Sequence, residues 1–336
     1  MIESEISCAG TRYSRRMPRL GRRLAGIALA GVSIAVQAQN YPVKPIRTIS
    51  TLSGGAELIA RMVSQRLSET LGQAVIIETQ NGAGGIVGQE TVLRAAPDGY
   101  TLLFTSVGPH VISQFVSKSA RFDPVKGYTP IAKIMESLFL VIANSSTPFN
   151  TVGEMIEFAR RNPGKISYGT SGIGTVHHFA AAMITALTGI EWVHIPYKGG
   201  PPVLSATLSG EVQVGFVILL TMSSFANSSK LKVLGINNTQ RYAGMPNMST
   251  LTEQLPGYSP PTTWGSYFGP AGLPAPIVSR LNADIVKIMH QPDLKAKVEG
   301  SGSVVSTTSP EGLAEQVRND LVAVAKMVKL AGVKPE

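Results

Sequence analysis

Two segments of the sequence combine glycine with hydroxyl side chains where a strand gives way to a helix. The first is Ser53-Gly54-Gly55-Ala56-Glu57, which follows a short β-branched run. The second runs from Tyr168 to Thr175 and intersperses three glycines with three hydroxyl residues. Glycine lets backbone N–H groups approach a ligand, and the N-terminus of a helix attracts negative charge. Both loops therefore predict a site for a small anion such as a carboxylate.

Each loop also has an explanation in helix geometry alone. Any strand-to-helix turn favours glycine, so Gly54 and Gly55 would serve the turn whether or not a ligand binds. Thr175 stands where an N-cap is expected, and an N-cap oxygen accepts a hydrogen bond from the first helical turn. The second loop has more hydroxyls than capping requires, which favours a ligand there.

The usual catalytic and cofactor motifs are missing. The sequence has no G-x-S-x-G, no GK[ST] and no H-E-x-x-H motif. Residues 81–85 resemble a dinucleotide loop, but Val87 occupies the place of the third glycine. His177 and His178 are adjacent, so on a helix they diverge by about 100° and cannot hold one metal ion together. We expect no cofactor, no metal and no catalytic residue. The alternative is an α/β hydrolase or transferase that uses Ser171 or His178.

Composition narrows the class of protein further. The chain has 336 residues, a net charge of +9, 43% hydrophobic residues and 15% charged residues. The charged fraction is below the roughly 25% of an average soluble protein, which excludes disorder for most of the chain. No apolar run reaches about 18 residues, so a membrane-spanning helix is not expected. A single cysteine excludes a disulfide scaffold, and 6% aromatic residues leave few stacking platforms for nucleic acid.

The N-terminal segment has the pattern of a secretory signal. Residues 1–23 contain six arginines and two glutamates, and Leu24 to Val36 is an apolar stretch. Val36-Gln37-Ala38 then provides small residues at the −3 and −1 positions. This order predicts a signal peptide over residues 1–38, cleaved after Ala38, and export to the periplasm. Its removal leaves a net charge of about +5, which suits the attraction of anions.

Two properties of this segment stay open. Translation starts at Met1 or at Met17, which would give a more ordinary basic region. Two arginine pairs, at 15–16 and 22–23, raise the twin-arginine export route. Neither pair is followed by a Phe-Leu-Lys-like sequence, so the general route is favoured.

The remaining chain alternates short β-branched runs with amphipathic stretches, which predicts βαβ units and a parallel sheet. Gly72 ends the first amphipathic stretch in the position of a helix C-cap. The predicted strands are 46–50, 74–78, 101–105, 165–169, 192–195, 212–217, 232–236 and 264–268. The predicted helices are 56–71, 86–95, 151–161, 175–187, 202–208, 275–290 and 310–330.

The order of these elements predicts two lobes. The apolar run 131–143 is either two strands or one long crossover strand. The segment after residue 261 is helical with one strand of its own, so it must pack on a sheet formed earlier in the chain. The economical arrangement returns it to the first sheet. We expect one lobe from residues 41–140 and 262–336 and another from 141–261, joined by two crossings.

With these features in place, residues 41–335 resemble the periplasmic receptors of tripartite tricarboxylate transporters, the Bug/TctC family. The family has an α/β, two-lobed type II periplasmic-binding-protein fold, in which each lobe is a mixed β-sheet flanked by helices and the ligand cleft lies between the lobes. The resemblance rests on an ordered set of motifs. They are YPVKPIR at 41–47, GG at 54–55, LIAR at 58–61, GAGG at 82–85, APDGYTLL at 96–103, GT at 174–175, VHIPYKGG at 193–200, GPAG at 269–272 and Lys287.

The resemblance implies a function and a set of ligand contacts. Members capture a small carboxylate, close over it and deliver it to a membrane permease. We therefore expect a monomeric receptor, not an enzyme, whose partners are a small organic acid and a permease and not nucleic acid. Delivery to a signalling sensor is an alternative. The implied contacts are Ser53, Gly54, Gly55 and Glu57 in the first loop, Gly84 and Ser106 elsewhere in the first lobe, and Thr170, Ser171, Gly174 and Thr175 in the second loop.

Three departures from the family pattern bear on the ligand. Leu52-Ser53 replaces the family's Pro-Gly, and Glu57 replaces its usual aspartate. Residues 216–219, Phe-Val-Ile-Leu, replace a polar stretch. A more apolar cleft rim favours a monocarboxylate or an acid with a hydrophobic body over a tricarboxylate. Alternatively Val217 belongs to the core and has no effect on the ligand.

Overall fold

The strands of residues 41–223 and 228–335, which the computed structural model describes, form two separate sheets. The expected signal peptide, 1–38, and the two possible start residues lie outside the described part of the chain. In chain order the strands are β1 (Ile46–Ser50), β2 (Val75–Thr79), β3 (Thr101–Ser106), β4 (Tyr128–Ser137), β5 (Phe139–Asn144), β6 (Ser167–Thr170), β7 (Val193–Pro196), β8 (Val214–Ile218), β9 (Leu231–Asn237), β10 (Trp264–Pro270) and β11 (Ser303–Val305).

Helices follow most strands, as the alternating pattern predicts. They are α1 (Gly55–Leu71), α2 (Ile86–Leu93), α3 (Ser113–Val116), α4 (Val152–Arg161), α5 (Val176–Thr188), α6 (Gly200–Ser209), α7 (Leu219–Ser223), α8 (Leu251–Gln254), α9 (Ala275–Met289), α10 (Pro292–Gly300) and α11 (Pro310–Ala331). A short 3₁₀ turn, Gly82–Gly85, precedes α2, and a π-helical turn, Gly108–Ile112, precedes α3.

The first sheet has six strands in the order β11-β4-β10-β3-β1-β2. Strand β1 pairs parallel with β2 and β3, whereas β10 is antiparallel to both β3 and β4. The second sheet has the order β7-β6-β8-β5-β9, with β5 antiparallel to both of its neighbours. Both sheets are therefore mixed. Together they form the two lobes of a type II periplasmic-binding-protein fold.

The change from one sheet to the other occurs at Leu138. Strand β4 ends at Ser137 in the first sheet, and β5 begins at Phe139 in the second. The run 131–143 is therefore divided between two strands, which is the first of the two predicted alternatives. The proposed lobe boundary at 140/141 falls two residues inside β5, because the apolar run continues across the crossing and conceals it. The second proposed boundary, 261/262, lies just before β10.

The C-terminal segment returns to the first sheet through two strands. Strand β10 lies at the centre of that sheet, and all seven of its residues are buried. The expectation of a single strand after residue 261 is wrong, because β11 is a second. Strand β11 has only three residues and pairs with the end of β4 at the sheet edge. So short a run has no periodicity that identifies a strand.

A single cluster of buried apolar side chains continues from one lobe into the other. Leu103 belongs to the first sheet and Phe216 to the second, and both are fully buried in this cluster. Helix α11 packs on β4 and also on α5 of the second lobe, and contributes Leu313 and Met327. The two lobes therefore share a core at the crossings as well as two chain connections.

Gly88 in α2 provides a test of how tightly the first lobe packs behind its loops. A Cβ at this position would lie 2.7 Å from the carbonyl oxygen of Gln80 and 3.0 Å from Thr51 Cγ2. We expect Gly88→Ala to lower the free energy of unfolding by about 1–3 kcal/mol, because the backbone after β2 must move. Equilibrium denaturation in urea measures the change.

Gly153 in α4 is the matched control. A Cβ there meets only Thr151 Oγ1, at 3.8 Å, and the backbone is helical. Gly153→Ala should leave stability unchanged or raise it by about 0.4–1 kcal/mol, since alanine restricts the unfolded chain. Equal unfolding midpoints for Gly88→Ala and the native chain would show that α2 is not packed against this backbone.

Candidate ligand-binding site

A cavity of about 670 Å³ lies between the loops of the two sheets. The first lobe contributes residues at or near the ends of β1, β2, β3, β4 and β10. The second contributes the loop between β6 and α5, the first turn of α5 and the end of β8. The lining residues are Thr51, Leu52, Ser53, Ala56, Asn81, Ala83, Gly84, Ile86, Ser106, Val107, Gly108, Pro109, Ile112, Ser113, Val116, Ser117, Met135, Ser137, Ser171, Gly174, Thr175, Val176, His177, Ile218, Thr263 and Trp264.

First turns of helices from both lobes line this cavity. Ala56 lies in the first turn of α1. Ile86 begins α2, but its N–H already donates to carbonyl groups of the preceding 3₁₀ turn. Val176 and His177 are the first two residues of α5. The first N–H groups of a helix have no intrahelical acceptor and carry the positive end of its dipole. The arrangement therefore favours an anion in the cavity.

None of the lining residues carries a full charge at neutral pH, since no Asp, Glu, Lys or Arg is among them. Hydroxyl groups are the main polar side chains. Ser53 and Ser106 line the cavity, and no hydrogen bond to another described residue engages their hydroxyls. The hydroxyl of Ser113, by contrast, donates to the Pro109 carbonyl at 2.7 Å. Thr51 donates to Thr105 at 2.8 Å.

The first loop contributes one of its expected residues directly. Ser53 lines the cavity, whereas Gly54, Gly55 and Glu57 do not. Gly54 caps α1 with a φ of 72°, a conformation that glycine adopts without strain. Glu57 accepts a hydrogen bond from Arg61 Nε at 2.8 Å, one helical turn further on. The observed contacts of Glu57 are therefore within α1.

The 3₁₀ turn brings Gly84 to the cavity, as expected. Ala83, Gly84 and Gly85 have φ values of 50°, 67° and 95° in succession. Ala83 is the single non-glycine residue with a positive φ in the described part of the chain. Left-handed backbone at a non-glycine residue costs about 1 kcal/mol or more and is concentrated at functional sites. A side chain at Gly85 is excluded, because its Cβ would lie 2.9 Å from Thr51 Cβ and 2.8 Å from Pro109 Cβ.

The second loop brings Ser171, Gly174 and Thr175 to the cavity, but not Thr170. Thr170 is fully buried, and its Oγ1 lies 2.7 Å from Nε2 of His194. The Gly174 N–H donates to Nδ1 of His178 at 3.2 Å. The imidazoles of His194 and His178 thus each form a hydrogen bond with this loop.

Thr175 is the N-cap of α5, as the alternative interpretation of this residue requires. Its Oγ1 accepts from the His178 N–H and donates to the Gly172 carbonyl at 2.8 Å. The one hydroxyl hydrogen is therefore engaged within the loop. A ligand-donor role for Thr175 would require this bond to break.

The histidine beside Ser171 is His177, and not His178, which the enzyme alternative invokes. Ser171 Oγ lies 2.7 Å from Nδ1 of His177, and His178 is bound to Gly174. Adjacent helical residues diverge by about 100°, so only one of the two can face the loop's hydroxyl. His178 is therefore not placed to act with Ser171. Burial lowers the pKa of His177 to about 4 and also lowers the pKa of His178.

The largest part of the lining that sequence reasoning missed is the segment from Val107 to Ser117, directly after the expected Ser106. Its π-helical turn presents Gly108, Pro109 and Ile112 to the cavity. An i→i+5 turn is common at functional sites but has no distinctive sequence pattern. Met135 and Trp264, from two central strands, were missed because their spacing is that of ordinary core residues.

The apolar stretch 216–219 divides between core and cavity. Phe216 and Val217 are fully buried, as the alternative interpretation proposed for Val217. Ile218 is 37% exposed and lines the cavity. One apolar side chain of this stretch therefore lines the cavity, and the other three, including the partly buried Leu219, do not.

None of the described helices is both long and apolar enough to cross a bilayer. In the same part of the chain, no three His, Cys, Asp or Glu side chains come together in a way that would hold a metal ion. Two mixed sheets with a ligand-sized cavity between their loops define the class as a periplasmic solute-binding protein.

The chain belongs to the tripartite tricarboxylate transporter family of receptors, whose model matches residues 59–332. It is 31% identical to a UPF0065 protein from the tcbD-tcbE intergenic region of Pseudomonas sp., over 93% of this chain and 95% of that protein. Among solved structures, an R. palustris protein with adipate is 25% identical, with a TM-score of 0.75 over 88% of this chain and all of its own. MatC of Rhodopseudomonas palustris with bound malate is 26% identical, with a TM-score of 0.69 over 86% of this chain and all of its own.

Thr175→Ala tests the capping role of this threonine. We expect it to lower the free energy of unfolding by about 1 kcal/mol, because α5 loses the acceptor for one orphan N–H group. Thr175→Ser keeps the hydroxyl and should be nearly neutral. Urea denaturation of both variants measures this. If the alanine variant were as stable as the native chain but bound organic acids more weakly, the hydroxyl would be a ligand donor instead.

Proposed function

We propose that this chain is an extracytoplasmic receptor that captures a small organic carboxylate between its lobes and delivers it to the permease of a tripartite transporter. The observation that carries the proposal is the set of helix first turns and hydroxyls, from both lobes, around one cavity without charged side chains. Such donors suit a carboxylate without an ion pair. The two solved relatives described above have bound small carboxylates, adipate in one and malate in the other.

The proposed binding mode uses both lobes. Ser53, Ser106 and the first turn of α1 belong to the first lobe, whereas Ser171 and the first turn of α5 belong to the second. A ligand that contacts both sets stabilises the closed form, because an open cleft separates them. Delivery to a permease then requires the cleft to open again.

We further propose that the ligand has one carboxylate at these donors and an apolar body. Support comes from the rest of the lining, where Val107, Ile112, Val116, Met135 and Ile218 surround the remaining volume. A second carboxylate in this region would lose its hydration without gaining a cationic side chain as a partner. An aliphatic or aromatic monocarboxylate fits the lining better than a tricarboxylate does.

We infer that the chain binds its ligand without transforming it, needs no cofactor and acts as a monomer. A hydrolase would need His177 to take the proton of Ser171 and a third group to stabilise the imidazolium. No carboxylate contacts His177 among the described residues. Its low pKa also makes it a poor base at neutral pH.

Titration calorimetry with hexanoate, adipate and malate tests the carboxylate site. We expect binding of at least one acid, and Ser106→Ala and Ser171→Ala should each weaken it by about 10- to 150-fold. The reason is the loss of a hydroxyl donor to a charged acceptor, which contributes about 1.5–3 kcal/mol. Ser53→Ala should act in the same direction.

Ser113→Ala is the matched control, because it removes a lining hydroxyl whose hydrogen already serves Pro109. Its affinity for the acid should stay close to that of the native chain.

Raising the salt concentration to about 0.3 M should change affinity only modestly, since no charged side chain is in the lining. A tenfold loss at that salt would contradict the proposal and indicate a direct ion pair.

We also propose that residues 1–38 direct export to the periplasm and are cleaved after Ala38. N-terminal sequencing of the protein recovered from the periplasm should begin at Gln39 or within a few residues of it. A periplasmic protein that retains Arg22-Arg23 would contradict this processing.

A further inference from the structure

The distance between Ser171 and His177 does not show which of the two donates the hydrogen bond between them. The 2.7 Å separation of Ser171 Oγ and His177 Nδ1 allows either atom to be the donor. If Ser171 donates, its only hydrogen is used, and the hydroxyl can offer a ligand nothing but lone pairs. If His177 donates, the serine hydrogen stays free. The tautomer of His177 therefore decides whether Ser171 binds a carboxylate.

The second ring nitrogen of His177 distinguishes the two cases. Nε2 is buried and has no hydrogen-bond partner among the described residues. The ring packs edge-on against Phe139, with centroids 5.0 Å apart. A buried N–H group without an acceptor is rarer and costs more than a bare lone pair. The proton therefore belongs on Nδ1, where Ser171 accepts it, and not on Nε2.

We propose that His177 is a positioning residue that donates from Nδ1 to Ser171 Oγ, so that the serine hydrogen is directed to the ligand carboxylate. This inference rests on the proposed carboxylate site. His177 is not among the expected ligand contacts. Its N–H bond to Ser171 would leave the serine hydroxyl free to donate a hydrogen bond to the ligand.

The adjacent histidine provides an internal contrast. His178 Nδ1 accepts from the Gly174 N–H, and a backbone N–H is always a donor. His178 therefore carries its proton on Nε2. Two neighbouring imidazoles, both neutral at pH 7 because burial lowers their pKa values, hold opposite tautomers.

Nitrogen-15 NMR of the full chain with labelled histidine tests the tautomer without any ligand. The His177 signals, assigned by their loss in His177→Asn, should show a protonated Nδ1 and a bare Nε2 at pH 7. His178 should show the reverse pattern in the same spectrum. A protonated Nε2 on His177 would overturn the proposal, whether or not the chain binds an acid.

A double-mutant cycle with hexanoate and adipate tests the consequence for binding. His177→Leu should weaken affinity by about three- to tenfold, since it removes the donor that orients Ser171. His177→Asn retains an N–H donor in the position of Nδ1 and should restore most of the affinity.

In a Ser171→Ala background, His177→Leu should have almost no further effect on affinity, because its target is gone. An equal loss in both backgrounds would show that His177 acts only through packing and would overturn the positioning role. Failure of the native chain to bind any of these acids would instead contradict the proposed function, while the tautomer measurement would still stand.

Discussion

The site depends on the unpaired N–H groups at the first turns of helices. Each helix leaves such groups at its start, and this fold brings the starts of α1 and α5, one from each lobe, to one cavity. An anion there satisfies donors that would otherwise need water. In the proposed binding mode helix dipoles and hydroxyls meet the charge, so the lining needs no lysine or arginine. This frees the remaining volume for apolar side chains such as Val116 and Ile218.

The close approach of the lobes also constrains the backbone of the second loop. Gly174 has a φ of 74°, and a Cβ on it would lie 3.3 Å from Val116 of the opposite lobe. Helix α11 and the shared apolar cluster hold the lobes together at the crossings. The cavity lies where the lobes meet mainly through loops and short turns.

Local patterns predicted much of this arrangement, and non-local contacts account for the rest. Alternation of strands and helices, glycine at helix ends and the return of the C-terminal segment were visible in the sequence. Strand β11 and the π-helical turn were not, because three residues have no period and an i→i+5 turn depends on its neighbours. The partner of Ser171 was not predicted either. Spacing shows that His177 and His178 diverge, but only the packed helix shows which one faces the loop.

The second loop shows why the number of hydroxyls in a sequence overstates the number of ligand donors. Thr170 is engaged with His194, and Thr175 with Gly172, so both hydroxyls maintain the loop's shape. The Gly174 N–H is likewise taken by His178. These internal bonds fix the backbone before any ligand arrives, which lowers the entropy that binding must overcome. The loop thus uses most of its polar groups for rigidity, and in the proposed binding mode Ser171 and the first N–H groups of α5 are left to recognise the anion.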